Sequence, residues 1–163
     1  MNHKRAEPFH IVLYRPEIPY NTGNIIRLCA NTGSTLHLIR PLGFEMKESR
    51  LKRAALDYSD LTVVTEYDHL DNYIATHPER RVFLVSSRNS RGYTEPEYTK
   101  GDSFLFGSES SGLPDSIIEN FREEEKIRIP MVPSNRSLNL ANAVAIIIYE
   151  AWRHIDYLGK ASV

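Results

Sequence analysis

Six apolar runs of strand length alternate with helical patterns along the chain, and this alternation limits the folds that the chain can adopt. The runs lie at residues 9–14, 35–39, 61–65, 81–85, 104–107 and 126–130. The helical patterns lie at 22–32, 49–57, 68–77, 114–121 and 137–154. Strands that alternate with helices favour a parallel sheet, and strands that are apolar throughout favour a sheet covered on both faces. The sequence therefore predicts one α/β domain over residues 1–163, with a mainly parallel sheet and helices on both faces.

Charge and cysteine content exclude several classes of protein. The formal net charge is −1, so the chain as a whole is not basic, although 14 arginines against 6 lysines favour local phosphate sites. Cys29 is the single cysteine, so no intrachain disulfide or zinc cluster is expected, and a reducing compartment is favoured. The N-terminus lacks a secretory signal, and the most apolar run, 143–149, is too short to span a bilayer. We therefore expect a cytoplasmic protein without a membrane segment or a bound metal.

The segment 21–33, NTGNIIRLCANTG, combines helix signals with an unusual polar face. Asn21 or Thr22 is expected to cap the helix, and Gly33 to end it in the left-handed conformation. Three polar residues recur at helical spacing on one face: Asn24, Arg27 and Asn31. Asparagine is unfavourable inside a helix, so this face suits an anionic or hydroxyl-rich ligand. The alternative is a solvated face whose arginine pairs with an acid.

The segment 104–114, FLFGSESSGLP, places a glycine-bounded loop directly after an apolar strand. Gly107 and Gly112 are separated by four residues, as in a phosphate-binding loop. The lysine and the serine or threonine of such a loop are absent, since Leu-Pro follows Gly112. Glu109 would also repel a polyphosphate. The loop therefore fits a neutral or cationic ligand, or an adenosine, and the alternative is a tight turn before a helix.

The segment 129–152 begins at the end of a strand and continues into a long apolar helix. Ser137 is the expected N-cap, and the helix from Leu138 to Trp152 is apolar on nearly every side. In so short a chain, such a helix indicates a subunit interface as well as a core. Polar residues crowd the end of the strand, where open α/β sheets bind ligands: Asn135, Arg136, Ser137 and Asn139. Capping and core packing explain the helix well and this cluster less well.

Together and in this order, the three segments resemble the SPOUT superfamily of RNA methyltransferases. Its ribose 2′-O-methylating members carry N-x-G-N-x-x-R, matched by 21–27, and FG-x-E-x-x-G-(L/I), matched by 106–113. They end with IPM…S-x-N and an apolar helix, matched by 129–144. The likeness covers nearly the whole chain. Within the superfamily, the chain closely resembles the YibK-like branch, whose members methylate the ribose of cytidine or uridine at position 34 of tRNA. Further segments that carry this likeness are 13–33, 51–58 and 148–153.

The resemblance implies an enzyme that depends on S-adenosylmethionine. Its α/β sheet would have a C-terminal part that forms a deep trefoil knot, which general rules of chain topology would not predict. Three loops that follow strands would bind the cofactor through Val85, Gly107, Ile129, Met131, Ser137 and Leu138. Family members are homodimers whose active sites use groups from both subunits. The implied RNA partner is the anticodon stem-loop of tRNA.

The resemblance also implies four catalytic-site residues: Arg27, Glu109, Asn139 and Tyr149. The family assigns Arg27 to assisting loss of the ribose hydroxyl proton. A guanidinium almost never deprotonates, so stabilising a developing alkoxide or binding the neighbouring phosphate is equally consistent. Glu109 would orient Arg27 or accept a hydrogen bond from the substrate, and Tyr149 would act through the dimer.

The implied RNA-binding residues are Asn24, Arg88, Arg91 and Arg136. The branch often has a basic residue where this chain has Ser111, so the arginines would have to supply that charge. Methylation of ribosomal RNA or of another tRNA position remains open, as does a non-catalytic RNA-binding dimer. The absence of a phosphate loop weighs against a nucleotide-binding module of the flavodoxin type.

Overall fold

Six parallel strands form one sheet in the computed structural model, which describes residues 6–47 and 64–162. The strands are β1 (His10–Tyr14), β2 (Thr35–Ile39), β3 (Val64–Tyr67), β4 (Val82–Val85), β5 (Ser103–Phe106) and β6 (Lys126–Ile127). Their order across the sheet is β3-β2-β1-β5-β4-β6, and each neighbouring pair is parallel. The α/β class is therefore confirmed. β6 is shorter than the predicted 126–130, because only an isolated bridge between Gly92 and Arg128 continues its ladder.

Helices connect the strands within the described ranges. They are α1 (Pro19–Thr32), α2 (Leu70–Thr76), α3 (Asp115–Ile118) and α4 (Leu140–His154). The helix expected at 49–57 lies outside the described residues. The expectation that Asn21 or Thr22 caps α1 is wrong, because proline starts the helix early and Ile18 holds the cap position. Gly33 ends α1 with a φ of 75°, as expected.

The start of α4 also differs from the expectation that Ser137 caps it. The helix begins at Leu140, and the side chain of Asn139 accepts a hydrogen bond of 3.2 Å from the Asn142 N–H. Ser137 lies before the helix in an exposed segment. Serine and asparagine are comparable caps, and the sequence offers both within three positions, so propensity alone could not separate them.

Each face of the sheet carries its own apolar core, because successive residues of a strand point to opposite faces. Ile11 and Leu13 of β1 belong to a core that includes buried residues of α1 and α4. Val12, between them, belongs to a core that includes residues of α2 and α3. Burial of such a side chain contributes roughly 1.5 to 3 kcal/mol. The helices therefore cover both faces, as the continuously apolar strands predicted.

Within a single chain, α4 buries only one of its faces. Its buried residues form one face, where the helix packs on α1: Leu140, Val144, Ile147, Ile148, Ala151 and Trp152. Tyr149 lies on another side and is 47% exposed. A single chain therefore leaves part of the apolar surface of α4 uncovered.

A row of hydrogen-bonded histidines lies on the α2 side of the sheet. Thr35 Oγ1 lies 2.6 Å from His10 Nδ1 and 2.9 Å from His37 Nε2, and His37 Nδ1 lies 3.2 Å from the Tyr67 hydroxyl. Burial is the main cause that lowers the pKa of both histidines to about 3, and the nearby Arg80 lowers both further. The folded protein therefore holds both rings neutral at physiological pH.

We expect these histidines to make the protein sensitive to acid. Their ordinary pKa is 6.5, so between 6.5 and about 3 the unfolded chain binds protons that the folded chain excludes. The contribution of the two neutral rings to the free energy of unfolding is fully present above pH 6.5, and it falls by about 2 kcal/mol per ring at about pH 5. His37→Phe should reduce the difference in unfolding free energy between about pH 7.5 and about pH 5 by that amount, measured by urea denaturation. His69→Asn, at an exposed position, should leave the difference unchanged, and equal effects of the two variants would contradict the prediction.

Candidate functional site

The carboxyl ends of three neighbouring strands meet at one edge of the sheet, beside a cavity of about 490 Å³. Val85 at the end of β4 pairs with Phe106 at the end of β5 and with Ile127 at the end of β6. Because parallel strands end at the same edge, the loops that follow them converge there, as in other open α/β sheets. The lining comes from within residues 85–88, 106–113 and 129–143, together with Ile18 and Asn21.

The loop after β5 is closed on itself by its own hydrogen bonds. The Ser108 N–H donates to the Gly112 carbonyl at 3.3 Å, and the Gly112 N–H donates to the Ser108 carbonyl at 2.9 Å. The hydroxyls of Ser108 and Ser111 lie 2.8 Å apart. A Cβ at Gly107 would lie 2.6 Å from the Gly112 Cα, closer than real Cβ atoms come to backbone. Gly107 lines the cavity, but glycine is required there for another reason. The loop folds back so closely on Gly107 that its backbone leaves no room for a Cβ.

Glu109 is bound to the start of α1. Its carboxylate accepts hydrogen bonds from the Glu17 N–H at 2.7 Å, the Ile18 N–H at 3.1 Å and the Asn21 side-chain amide at 3.4 Å. Free amides at a helix start carry partial positive charge, so a carboxylate there is stabilising. No contact among the described residues joins Glu109 to Arg27. The geometry therefore makes Glu109 an anchor of the 107–112 loop at the start of α1.

We expect Glu109→Gln to lower the unfolding free energy by about 1 to 2 kcal/mol. Glutamine has the same shape, but it is uncharged and its amide group would turn a donor toward donors on α1. Urea denaturation measures the loss. Glu119→Gln removes a carboxylate from an exposed position away from α1 and should cost much less. Equal stability of the two variants would show that Glu109 does not anchor the loop.

Side-chain hydrogen bonds join the three sequence segments at the cavity. Asn139 Nδ2 donates to Asn21 Oδ1 at 3.0 Å, and Asn21 Nδ2 reaches Glu109. Asn21 is 6% exposed and lines the cavity, so its role is not the helix cap that the sequence suggested. The signal that could have found it is its place as the first residue of the N-x-G-N-x-x-R motif.

The cavity gathers every residue that the resemblance assigns to the cofactor: Val85, Gly107, Ile129, Met131, Ser137 and Leu138. Glu109, Asn139 and Arg88 also line it. The Arg88 guanidinium is already paired with the Asp115 carboxylate at 2.8 Å and the Leu113 carbonyl at 3.1 Å. The Arg88 guanidinium and the Glu109 carboxylate are both already hydrogen-bonded within the protein. The cavity therefore suits a ligand that needs apolar walls, hydroxyls and backbone groups. It does not suit a polyphosphate.

Five expected site residues do not line this cavity: Asn24, Arg27, Arg91, Arg136 and Tyr149. Asn24 and Arg27 lie exposed on α1, on the same face as Asn31, and Tyr149 lies exposed on α4. Arg27 has no hydrogen bond or ion pair within residues 6–47 and 64–162. The alternative of an arginine paired with an acid is therefore not found in the described part of the chain.

The arginines expected to bind RNA differ in availability. Arg88 is bound to Asp115, and Arg91 lies 3.7 Å from a carboxylate oxygen of Glu95. Arg136 is exposed in the segment before α4, and the described residues give it no partner. Of these three arginines, Arg136 has the guanidinium that is free to meet a phosphate.

Metal-binding and membrane-spanning features are absent from the described part of the chain. No group of three or more His, Cys, Asp or Glu side chains there could hold a metal ion. In the same residues no helix is both long and apolar enough to cross a membrane. Cys29 is buried on α1, in the core that this helix shares with α4.

Comparisons with known proteins agree with this geometry. The chain is 50% identical over 150 residues to the tRNA (cytidine(34)-2′-O)-methyltransferase of Aeromonas hydrophila subsp. hydrophila, covering 92% of this chain and 96% of the relative. A solved structure concerning the 2-OH methylation of C/U34 on tRNA is 41% identical, with a TM-score of 0.86 over 93% of this chain and 98% of the other. An AdoMet-bound rRNA methyltransferase from Sinorhizobium meliloti is 25% identical, with a TM-score of 0.79 over 90% of this chain and 56% of the other.

The family assignment rests on the length of the match as well as on the three motifs. The SpoU rRNA Methylase family matches residues 8–149, a range that contains all three segments of the site. The resemblance to SPOUT RNA methyltransferases is thereby confirmed. The chain belongs to the SpoU rRNA methylase family.

Proposed function

We propose that this enzyme transfers a methyl group from S-adenosylmethionine to the ribose 2′-hydroxyl of nucleotide 34 of tRNA, a cytidine or a modified uridine. The observation that carries the proposal is the convergence of three distant segments, at 85, 107 and 129–138, on one cavity. The name of the 50% identical relative from Aeromonas hydrophila supports the substrate and the position. The substrate region would be the anticodon stem-loop, and the reaction would take place in the cytoplasm.

The chemistry of the cavity supports S-adenosylmethionine as the cofactor. Ile129, Met131 and Leu138 would supply apolar walls for an adenosine, and Ser137 and the 107–112 loop would supply hydroxyl and backbone groups. The carboxylate of Glu109 lines the same cavity, which is compatible with a cationic ligand. When bound, the cofactor supplies an electrophilic methyl group on a sulfonium. The AdoMet-bound relative from Sinorhizobium meliloti supports the same ligand.

The residues of the chain would align the ribose and stabilise charge on it. Asn139 lines the cavity and is held by Asn21, so its side chain is fixed close to where the reacting groups would meet. As the 2′-hydroxyl loses its proton to solvent, negative charge develops on its oxygen. Arg27 would stabilise that charge without giving up its own proton, since a guanidinium stays charged.

We also propose a homodimer in which Arg27 and Tyr149 of one subunit reach the cavity of the other. Both residues are exposed, and neither lines the cavity of its own chain. A second copy packed against α1 and α4 would cover the apolar side of α4 that a single chain leaves exposed. This arrangement would complete the site from two subunits.

The trefoil knot remains a proposal as well. Its support is the family membership, together with the path of the chain after β6. Residues 129–139 share one cavity with the loops after β4 and β5, and α4 then packs back on α1. A backbone trace in electron density, followed from residue 100 to residue 154, tests the knot. A chain that passes beside the 107–112 loop, without threading, would rule it out.

Methyl transfer from labelled S-adenosylmethionine to total tRNA, with the modified nucleoside mapped, tests the function. The expected product is a 2′-O-methylated nucleotide at position 34. Label in ribosomal RNA alone would overturn the tRNA assignment, and label at another tRNA position would overturn the position. Retained RNA binding without any label would favour a non-catalytic RNA-binding dimer.

A further inference from the structure

A second cleft lies across the 107–112 loop from the main cavity. It has a volume of about 450 Å³ and is lined by Tyr14, Arg15, Glu17, Pro41, Leu42, Gly43 and residues of the loop. Ser108, Ser111 and Gly112 line both the cleft and the main cavity. The loop is therefore the wall that the two share, and a ligand in the cleft would lie beside the proposed methylation site.

Arg15 brings an available guanidinium to this cleft. Its side chain is exposed, and its Cζ lies 5.0 Å from the centre of the Tyr14 ring. No carboxylate within residues 6–47 and 64–162 pairs with it. Arg40 at the end of β2 differs, because it is bound to Glu66 and Asp68. A cation–π contact holds a guanidinium in place and leaves its N–H donors for another acceptor.

The backbone around Arg15 is fixed before any ligand binds. Arg15 has a φ of 50°, in the left-handed region that residues other than glycine seldom adopt. Its N–H donates to the Ile39 carbonyl at 3.0 Å, and the Gly43 N–H donates to the Pro16 carbonyl at 2.9 Å. A Cβ at Gly43 would lie 2.8 Å from the Glu17 Cα, so the 41–43 turn packs tightly here. A site built on such a backbone loses little conformational freedom on binding.

The charges of the cleft favour an anion on the Arg15 side. Glu17 also lines the cleft, but its carboxylate accepts a hydrogen bond of 2.6 Å from the Ser110 hydroxyl. Ser110 belongs to the 107–112 loop, so this hydrogen bond holds the Glu17 carboxylate against the loop. The Arg15 guanidinium is then the charged donor that remains for a ligand in the cleft.

We propose that this cleft binds the phosphate of the nucleotide next to the methylated one, with Arg15 as its main ligand. This inference rests on the proposed RNA substrate. A strand whose ribose enters the main cavity carries its next phosphate past the 107–112 loop, where Arg15 is the available cation. Phosphate contacts set the register of a nucleic acid and carry no sequence information. Arg15 would therefore fix which ribose reaches the cavity, while base identity is read elsewhere.

Binding of a synthetic anticodon stem-loop RNA to Arg15→Gln and Lys100→Gln tests the inference. Each variant removes one exposed cation. Lys100 precedes β5, so it lies near the amino ends of the strands, whereas the cleft lies near their carboxyl ends. Arg15→Gln should raise the Kd about five- to tenfold at low salt. It should also reduce the slope of log K against log salt by about 0.7, the share of one single-stranded phosphate. Arg15→Lys should restore the slope, and Lys100→Gln should change neither quantity.

Single methylphosphonate substitutions in the RNA identify the phosphate. Neutralising the phosphate that Arg15 binds should weaken binding to the wild type and leave binding to Arg15→Gln unchanged. Calorimetric affinity for S-adenosylmethionine should be the same in both proteins, which shows that the main cavity is intact. If the wild type methylates this RNA while Arg15→Gln keeps the full salt slope, the Arg15 inference is wrong and the proposed function stands. If the wild type neither binds nor methylates it, the proposed function fails and the inference fails with it.

Discussion

Arg27→Ala should reduce methyl transfer by about 100- to 1,000-fold and leave the affinity for S-adenosylmethionine unchanged. Arg27 is exposed on α1, is without a partner in the described residues and does not line the cavity of its own chain. It therefore has no structural contact there to lose. A charge that acts on the developing alkoxide lowers the barrier to the chemical step, so its loss lowers kcat. Single-turnover methyl transfer with saturating RNA measures the rate, and calorimetry measures cofactor binding.

Arg27→Lys and Asn31→Ala make this prediction specific. Lysine keeps the charge, so it should retain more of the rate than alanine and leave the shape of the pH–rate profile unchanged. Asn31 lies on the same exposed face of α1, and its alanine variant should keep the wild-type rate. Near wild-type activity in Arg27→Ala would remove Arg27 from both the electrostatic and the phosphate-binding role.

In the proposed homodimer, mixed dimers would show which cavity Arg27 serves. Leu138 is 40% exposed at the cavity, so Leu138→Trp should block the cavity and leave the fold intact. If Arg27 acts across the dimer, mixing Arg27→Ala with Leu138→Trp restores activity, because one cavity is open and faces an intact arginine. If Arg27 acts within its own chain, each cavity of the mixed dimer keeps a defect and no activity returns.

The fold could be predicted from short-range patterns because its strands are buried on both faces. The alternation of Ile11, Val12 and Leu13 between two cores gives a continuous apolar run. Each of the six predicted runs overlaps an observed strand, although β3 continues to Tyr67, past the predicted end at 65. The place of the site also followed, since parallel strands end at one edge. The six residues proposed for the cofactor were selected by the resemblance to known methyltransferases, because no local pattern links 85, 107 and 129.

Short-range patterns could not predict contacts between residues that are distant in sequence. Glu109 binds backbone amides of Glu17 and Ile18, 92 and 91 residues away, so nothing near Glu109 in the sequence indicates them. Backbone N–H groups are also the same in every residue except proline, so they leave no compositional signal. Arg88 is a similar case, because a guanidinium expected to meet RNA is bound to Asp115 in the fold. Local propensity also could not choose between Ser137 and Asn139 as the cap of α4.

Gly107→Ala should cause the largest loss of stability among these variants, about 2 to 4 kcal/mol in unfolding free energy. The added Cβ would lie 2.6 Å from the Cα of Gly112, and backbone closed by hydrogen bonds has little freedom to move away. Urea denaturation measures the loss. Gly92→Ala is the matched control, because its Cβ would lie 3.1 Å from the end of the flexible Glu95 side chain, which can shift.

The 107–112 loop is the wall between the main cavity and the Arg15 cleft, so Gly107→Ala should weaken both ligands together. Calorimetry should show lower affinity for S-adenosylmethionine and for the anticodon stem-loop. Arg27→Ala should change neither cofactor affinity nor stability, and Arg15→Gln should change RNA affinity alone. If Gly107→Ala cannot be purified folded, Gly112→Ala gives a milder test, because its φ of 66° strains alanine while the space around it is open. Wild-type affinity for both ligands in a folded loop variant would show that the loop is not their common wall.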